Sequence, residues 1–237
     1  MVHEQRGGDV ATVLAILVAV NLLNNRLLPR AYVLTCVVAT GLLLLLGRWD
    51  GCSWTELGFG ARQLQSGLRW AGAVVGLVLL ADTVGVALPF TRQAFADTRA
   101  TALTGGGVLW HVLVRIPLGT ALLEEVAFRG VLYAMLARRY GVVAAIGGSS
   151  LLFGLWHVLP SVTLRHANVA VAGVVGAGTV GTAVTVTGAT VGAALAGVAL
   201  CELRRRSGGL LAPFALHWTL NGLGLLFAWA SSRASRP

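Results

Sequence analysis

Long apolar runs separated by short polar breaks recur from one end of the chain to the other. Residues 10 to 28 and 31 to 47 read as two helical spans, parted by "NNRLLPR", whose Pro29 and two arginines make a turn at an interface. Residues 48 to 66, "RWDGCSWTELGFGARQLQS", are the most polar internal stretch, with Trp49 and Trp54 suited to a headgroup belt. Residues 67 to 90 are the third span, ended by Pro89, and a polar loop follows through Thr104. Residues 105 to 137 would be about 50 Å long as a helix, against about 30 Å of hydrocarbon. Pro117 is therefore expected to divide them into an entry segment, 105 to 116, and a fourth span, 117 to 137. "ARRYG" turns the chain into a fifth span from about 142 to 159, closed by Pro160, and the last span runs from about 209 to 230.

Between these, residues 168 to 203 carry almost no charge and much glycine. Gly173, Ala177 and Gly181 recur every four residues, as do Gly188 and Gly192, which predicts small faces that let helices approach closely. The region holds either one span with an entry segment or two short spans joined near Gly188. Arginine placement favours the first. The densest basic turns are Arg138 with Arg139 and Arg204 to Arg206, and the positive-inside tendency puts both on the cytoplasmic side. An even number of crossings must then separate them. The expectation is an all-α, polytopic transmembrane bundle of about seven spans, eight being possible, with the N-terminus inside and the C-terminus outside. It forms a single integral membrane domain, 1–237, in which 1–104 supply the N-terminal spans.

Composition agrees. Of the 237 residues 56% are hydrophobic and 11% charged, with a mean hydropathy of +0.78, outside the range of soluble globular domains. The net charge of +9 is carried by arginine alone among the basic residues, clustered between apolar runs, which fits membrane flanks rather than nucleic acid. Cys36, Cys52 and Cys201 are scattered and form no disulfide framework or metal knuckle. The first apolar stretch lacks a small-residue cleavage site and is expected to be a retained helix rather than a signal peptide.

Against this background "LLEEVAFRGVLY", residues 122 to 133, is anomalous: it places Glu124, Glu125 and Arg129 inside an apolar run. Charges in a bilayer core cost a few kcal/mol each and are functional candidates by default. Glu125 and Arg129 are four apart and can pair on one helix face, while Glu124 points about 100° away. "FGLWH" sets Phe153 and His157 four apart near the end of the fifth span, and "HWTLN" sets His217 and Asn221 four apart on the last. Counted from the basic turns at about 1.5 Å per residue, Glu124, His157 and His217 fall about 20, 23 and 12 to 16 Å into the hydrocarbon. They can share one polar cavity. Glutamate is a general base, neutral histidine can share a water's proton, and histidine with asparagine can donate to an oxyanion. Those are the parts of amide hydrolysis by an activated water; no Ser or Cys beside a base suggests a covalent route. Asp82, mid-span, could pair with Arg115 or face a water-filled cleft; Trp156 and Trp218 read as packing residues, and His111, His3 and His166 as lying away from the site.

Glu124-Glu125 with Arg129 (EExxxR), Phe153 with His157 (FxxxH) and His217 with Asn221 (HxxxN), in that order, resemble the CAAX protease and bacteriocin-processing family, also called Abi proteins. Within it the chain is similar to prokaryotic relatives of the type II CAAX prenyl endopeptidase, over a core from about 105 to 230. The resemblance implies an intramembrane endopeptidase of a prokaryotic plasma membrane, acting on a membrane-associated or lipid-modified protein. It implies that Glu124 and His157 activate the water, His217 and Asn221 stabilise the oxyanion, and Glu125 and Arg129 support the site. No cofactor is expected; the family has also been described as metal-dependent, and a zinc version would use Glu124, His157 and His217. HExxH is absent, and only 16 residues follow Asn221, so the eighth span of some members is not expected. Expected partners are membrane lipids and a peptide or lipid-modified substrate, without nucleic acid; oligomeric state is not readable. Rival classes are a non-enzymatic immunity or scaffold protein, and a transporter with a Glu/His proton relay, for which internal repeats would be expected.

Overall fold

A computed structural model of the chain describes residues 9–91, 95, 98–162, 164 and 178–234. All regular elements among them are helical. Helix α1 (Asp9–Leu22) widens into a π turn, Leu23–Leu27, before α2 (Tyr32–Trp49) and α3 (Leu64–Ala87). Next comes one helical run, Gly105–Ser161, of 57 residues. At about 1.5 Å per residue that is about 85 Å, far beyond a single crossing. Gly141 folds it in two: its φ of 84° and ψ of 172° are non-helical, and a residue without Cβ adopts them at little steric cost. We therefore call residues 105–140 α4 and residues 142–161 α5. Helices α6 (Gly178–Ser207) and α7 (Leu211–Ala234) complete the described bundle. Among the described residues six continuous runs are long and apolar enough to cross a membrane; with one bent back at Gly141, they have the lengths for seven crossings. The chain is an all-α polytopic membrane protein.

Three details differ from the sequence-based expectations. Pro117 does not divide the fourth span, because the helix continues through it as a π-helix, His111–Ala121. In that register the absent Pro117 N–H would have bonded to the carbonyl five residues back, at Val112, and the Trp218 indole N–H bonds there instead, at 2.7 Å. Second, α6 passes through Gly188 unbroken, and a Cβ at Gly188 or Gly192 would meet nothing within 4 Å. Close approach comes from elsewhere: a Cβ on Gly154 of α5 would lie 2.7 Å from the Thr190 carbonyl oxygen and 2.9 Å from the Ala194 side chain. Third, the Asp82–Arg115 pair does not form: one Asp82 carboxylate oxygen is buried without a partner, and Arg115 stacks on Tyr32. Gly173, Ala177, His3 and His166 lie outside the described residues.

Both basic turns sit at one end of the bundle, as the arginine count requires. Arg139 pairs with Asp50 Oδ1 at 2.7 Å, and Arg138 lies 3.9 Å from Glu56 Oε1. Arg204 donates to the Glu56 carbonyl oxygen and stacks over Tyr133 at 4.1 Å. Ser53 bonds the Glu56 carboxylate through its backbone N–H and its hydroxyl, holding that carboxyl below the usual range.

Helix α4 is the centre. Helices α2 and α7 pack on it, α1 packs on α2, α3 on α7, and α6 along the hairpin that α4 makes with α5. From Glu125 to Leu132 every α4 residue is buried, among Leu17, Leu43, Phe153 and Leu200 of the surrounding helices. The two glutamates are thus carried at mid-helix in the most enclosed element.

Candidate active site

The α4 backbone changes from an α-helical turn, Leu122–Glu124, to a π-helical stretch, Glu125–Leu132, between the two carboxylates. Such stretches are common at functional sites because they re-aim neighbouring side chains. Glu125 faces Arg129, with Oε1 3.2 Å from Nη1, and Arg129 is fully buried with its guanidinium 3.9 Å above the Phe153 ring. The same Glu125 oxygen takes His217 Nδ1 at 2.6 Å. Glu125 therefore joins α4 to α7 and neutralises part of the charge that Arg129 brings into the core.

Glu124 is arranged differently. Its Oε1 accepts from the Trp156 indole N–H at 3.0 Å, while Oε2 is buried with no hydrogen-bond partner. Oε2 stands 4.0 Å from His157 Nε2 and 3.7 Å from His217 Nε2, beyond direct hydrogen bonding. His157 Nδ1 lies 2.8 Å from the Phe153 carbonyl, and since a carbonyl only accepts, Nδ1 carries the proton. In the neutral ring Nε2 is then a lone pair turned toward Glu124. His217 Nδ1, held by a carboxylate, orients its Nε2 toward the same oxygen. A water 2.8 Å from both Glu124 Oε2 and His157 Nε2 would bond them at an angle of about 90°, close to what its two O–H groups supply.

The structure thus gathers five of the six predicted residues: Glu124, Glu125, Arg129, His157 and His217. Asn221 lies one turn beyond His217, exposed and without a hydrogen bond among the described residues. His111 bonds back to Gly107 O on its own helix, at 2.8 Å, away from the site. Trp156 is the site residue that the sequence does not single out. It reads as a packing aromatic there, and its position beside His157 is the one signal that could have raised it. Trp218 is likewise more than packing, since it caps the Val112 carbonyl.

Two cavities meet the carboxylates. A polar one of about 420 Å³ is lined by Glu124, His157, Trp156, Arg115, Tyr32 and Arg26, toward the end away from the basic turns. An apolar one of about 430 Å³ reaches Glu125 from the other end, between Phe59, Leu64, Val126, Leu211 and Phe214.

Glu124, His157 and His217 are suitable donors for zinc by type. Two ligands of a tetrahedral zinc, each about 2.0 to 2.1 Å from the metal, stand about 3.4 Å apart, less than the 3.7 and 4.0 Å found here. Among the described residues no three His, Cys, Asp or Glu side chains are disposed to hold a metal ion. The arrangement as it stands does not fit zinc.

Fold and site together define a polytopic helical membrane protein with a carboxylate and two imidazoles converging inside the bundle. Residues 106–223, which carry every one of these groups, match the type II CAAX prenyl endopeptidase Rce1-like family. Through this segment the chain belongs to that family, a family of proteases. Comparison with curated proteins and with solved structures found no match.

Proposed function

We propose that the protein hydrolyses a peptide bond inside the membrane with a water held between Glu124 and His157. The observation that carries this is the buried, unpartnered Oε2 of Glu124 facing the Nε2 atoms of His157 and His217. The water oxygen attacks the scissile carbonyl carbon as Glu124 takes its proton. The oxyanion accepts hydrogen bonds from a protonated His217 Nε2 and from Asn221 once substrate draws that side chain inward. Glu124 then gives its proton to the amine nitrogen, the C–N bond breaks, and a carboxylic acid and an amine leave. Glu125 and Arg129 hold His217 in place, and Trp156 holds Glu124. The reaction as proposed uses no metal.

The substrate is a peptide of a membrane-associated or lipid-modified protein. The family description supports the lipid-modified class, and the apolar cavity beside Glu125 suits its greasy portion. The site is proposed to serve a prokaryotic plasma membrane.

The test is cleavage in detergent micelles of an S-farnesylated peptide, and of its unmodified twin, after exhaustive chelation and in H₂¹⁸O. Cleavage that survives chelation and places one ¹⁸O in the new carboxylate is the expected result. Activity lost on chelation and restored by zinc would replace this mechanism with a metal-dependent one. Absence of cleavage of any membrane peptide would favour a scaffold or immunity role.

A further inference from the structure

Pro160 leaves a gap in α5, the helix that carries Trp156 and His157. In an α-helix the carbonyl of residue 156 accepts from the N–H of residue 160, and proline has no N–H. The Trp156 carbonyl is served from another helix instead: Asn21 of α1 donates to it from Nδ2 at 2.9 Å. Asn21 is in turn held by Asn25, whose side-chain amide donates to the Asn21 side-chain oxygen at 2.7 Å and to its backbone carbonyl at 2.9 Å. Since a carbonyl only accepts, these bonds settle how the Asn21 amide is turned, with its oxygen to Asn25 and its N–H to Trp156. The π turn that follows Asn21 is anchored as well. Within it Asn24 donates to Cys36 Sγ of α2 at 3.2 Å and accepts from Thr35.

Trp156 is where this bond meets the chemistry. Its indole N–H donates to Glu124 Oε1 at 3.0 Å, so one residue takes a hydrogen bond on its backbone and gives another to the carboxylate that faces the water. His157 does not lean on Asn21 in the same way, because its Nδ1 is held by the Phe153 carbonyl of its own helix at 2.8 Å. A carbonyl stripped of its donor within the bilayer lets the last turn of α5 loosen, and a displaced indole loses a bond whose strength falls steeply with distance and angle. Asn21 lies outside residues 106–223, the segment that matches the family.

We propose that Asn21 is a positioning residue of the reaction: it replaces the backbone donor that Pro160 lacks and, through Trp156, sets the aim of Glu124. This rests on the peptidase reading and deepens it, extending the site from the three motif-bearing helices to α1.

The test is a pair of double-mutant cycles on the full-length protein in detergent micelles, with a membrane peptide that the parent protein cleaves. Asn21→Leu, close in shape and unable to donate, is expected to lower kcat about fivefold with KM little changed. Pro160→Ala returns an N–H to position 160, so the loss from N21L, measured against P160A, shrinks to within about twofold. In W156F, where the indole donor is already gone, N21L likewise costs less than about twofold. A loss undiminished in either background marks a merely structural asparagine and overturns the proposal, as does an N21L that works at the parent rate. A second readout needs no substrate. In protein labelled with 5-fluorotryptophan, the ¹⁹F resonance that W156F deletes belongs to Trp156; N21L is expected to shift or broaden it, and N21L/P160A to bring it back. An unmoved resonance overturns the proposal whatever the kinetics. Should N21L fail to fold, Asn25→Ala, at an exposed neighbour, decides by the same resonance and the same two cycles. A moved resonance in a protein whose parent cleaves no peptide upholds the hold of Asn21 on Trp156 and contradicts the peptidase reading.

Discussion

Glu124 keeps one oxygen on Trp156 and leaves the other for water, so the two neighbours have separable effects. Replacing Trp156 by Phe removes a hydrogen bond to a charged group, worth roughly 1.5 kcal/mol, and about tenfold in kcat is expected to go with it. KM should barely move and the thermal midpoint should fall by a few degrees; an unchanged kcat would make Trp156 a packing residue after all. Arg129 makes the opposite prediction. It is fully buried against Glu125 and Phe153, so Arg129→Met strands a carboxylate and is expected to cost about 3 to 5 kcal/mol. Denaturant unfolding in micelles measures this, and adding Glu125→Gln should recover most of the loss. If the double variant is no more stable than R129M, a stranded Glu125 carboxylate is not the source of the loss.

At the scale of helices, the run lengths and breaks were legible because the bilayer fixes how long an apolar segment must be. The fate of Pro117 was not. A proline disrupts an α-helix, but here the π register and an indole from α7 satisfy the orphaned carbonyl, and that partner is 106 residues away. The Gly188 and Gly192 repeat misled for a related reason: spacing shows that a face is small, not which way it points. Gly188 and Gly192 face open space, whereas the isolated Gly154 meets Thr190 and Ala194. Gly154→Val is therefore expected to push α5 from α6, displace His157 and abolish activity, while Gly188→Ala leaves both stability and activity as they are. Equal effects of the two, read by thermal unfolding and peptide cleavage, would contradict the packing described.

For the molecule as a whole, three motifs on separate helices pointed to one cavity; five of their six polar residues are brought together, of which Glu124 and His157 line the polar cavity and Glu125 the apolar one. How the carboxylates divide their work was only half legible: the Glu125–Arg129 spacing is helical arithmetic, but the bond from His217 to Glu125 depends on how α7 packs. The fold also fixes which loops share a side. Cys36, Cys52 and Cys201 are buried, and burial pushes the Cys52 thiol up, so the native chain should be silent to maleimide at neutral pH. Introduced cysteines at Trp54 and Arg205 should label from one face of sealed vesicles and one at Asn25 from the other; labelling of Arg205 with Asn25 would refute the seven-crossing fold. The most direct measurement on the central claim is kcat of Glu124→Gln and His157→Gln on a peptide that the parent protein cleaves. Loss of about 10² to 10⁴-fold in each, with KM little changed, is predicted for groups that activate water. Cleavage by either variant at the parent rate would contradict it.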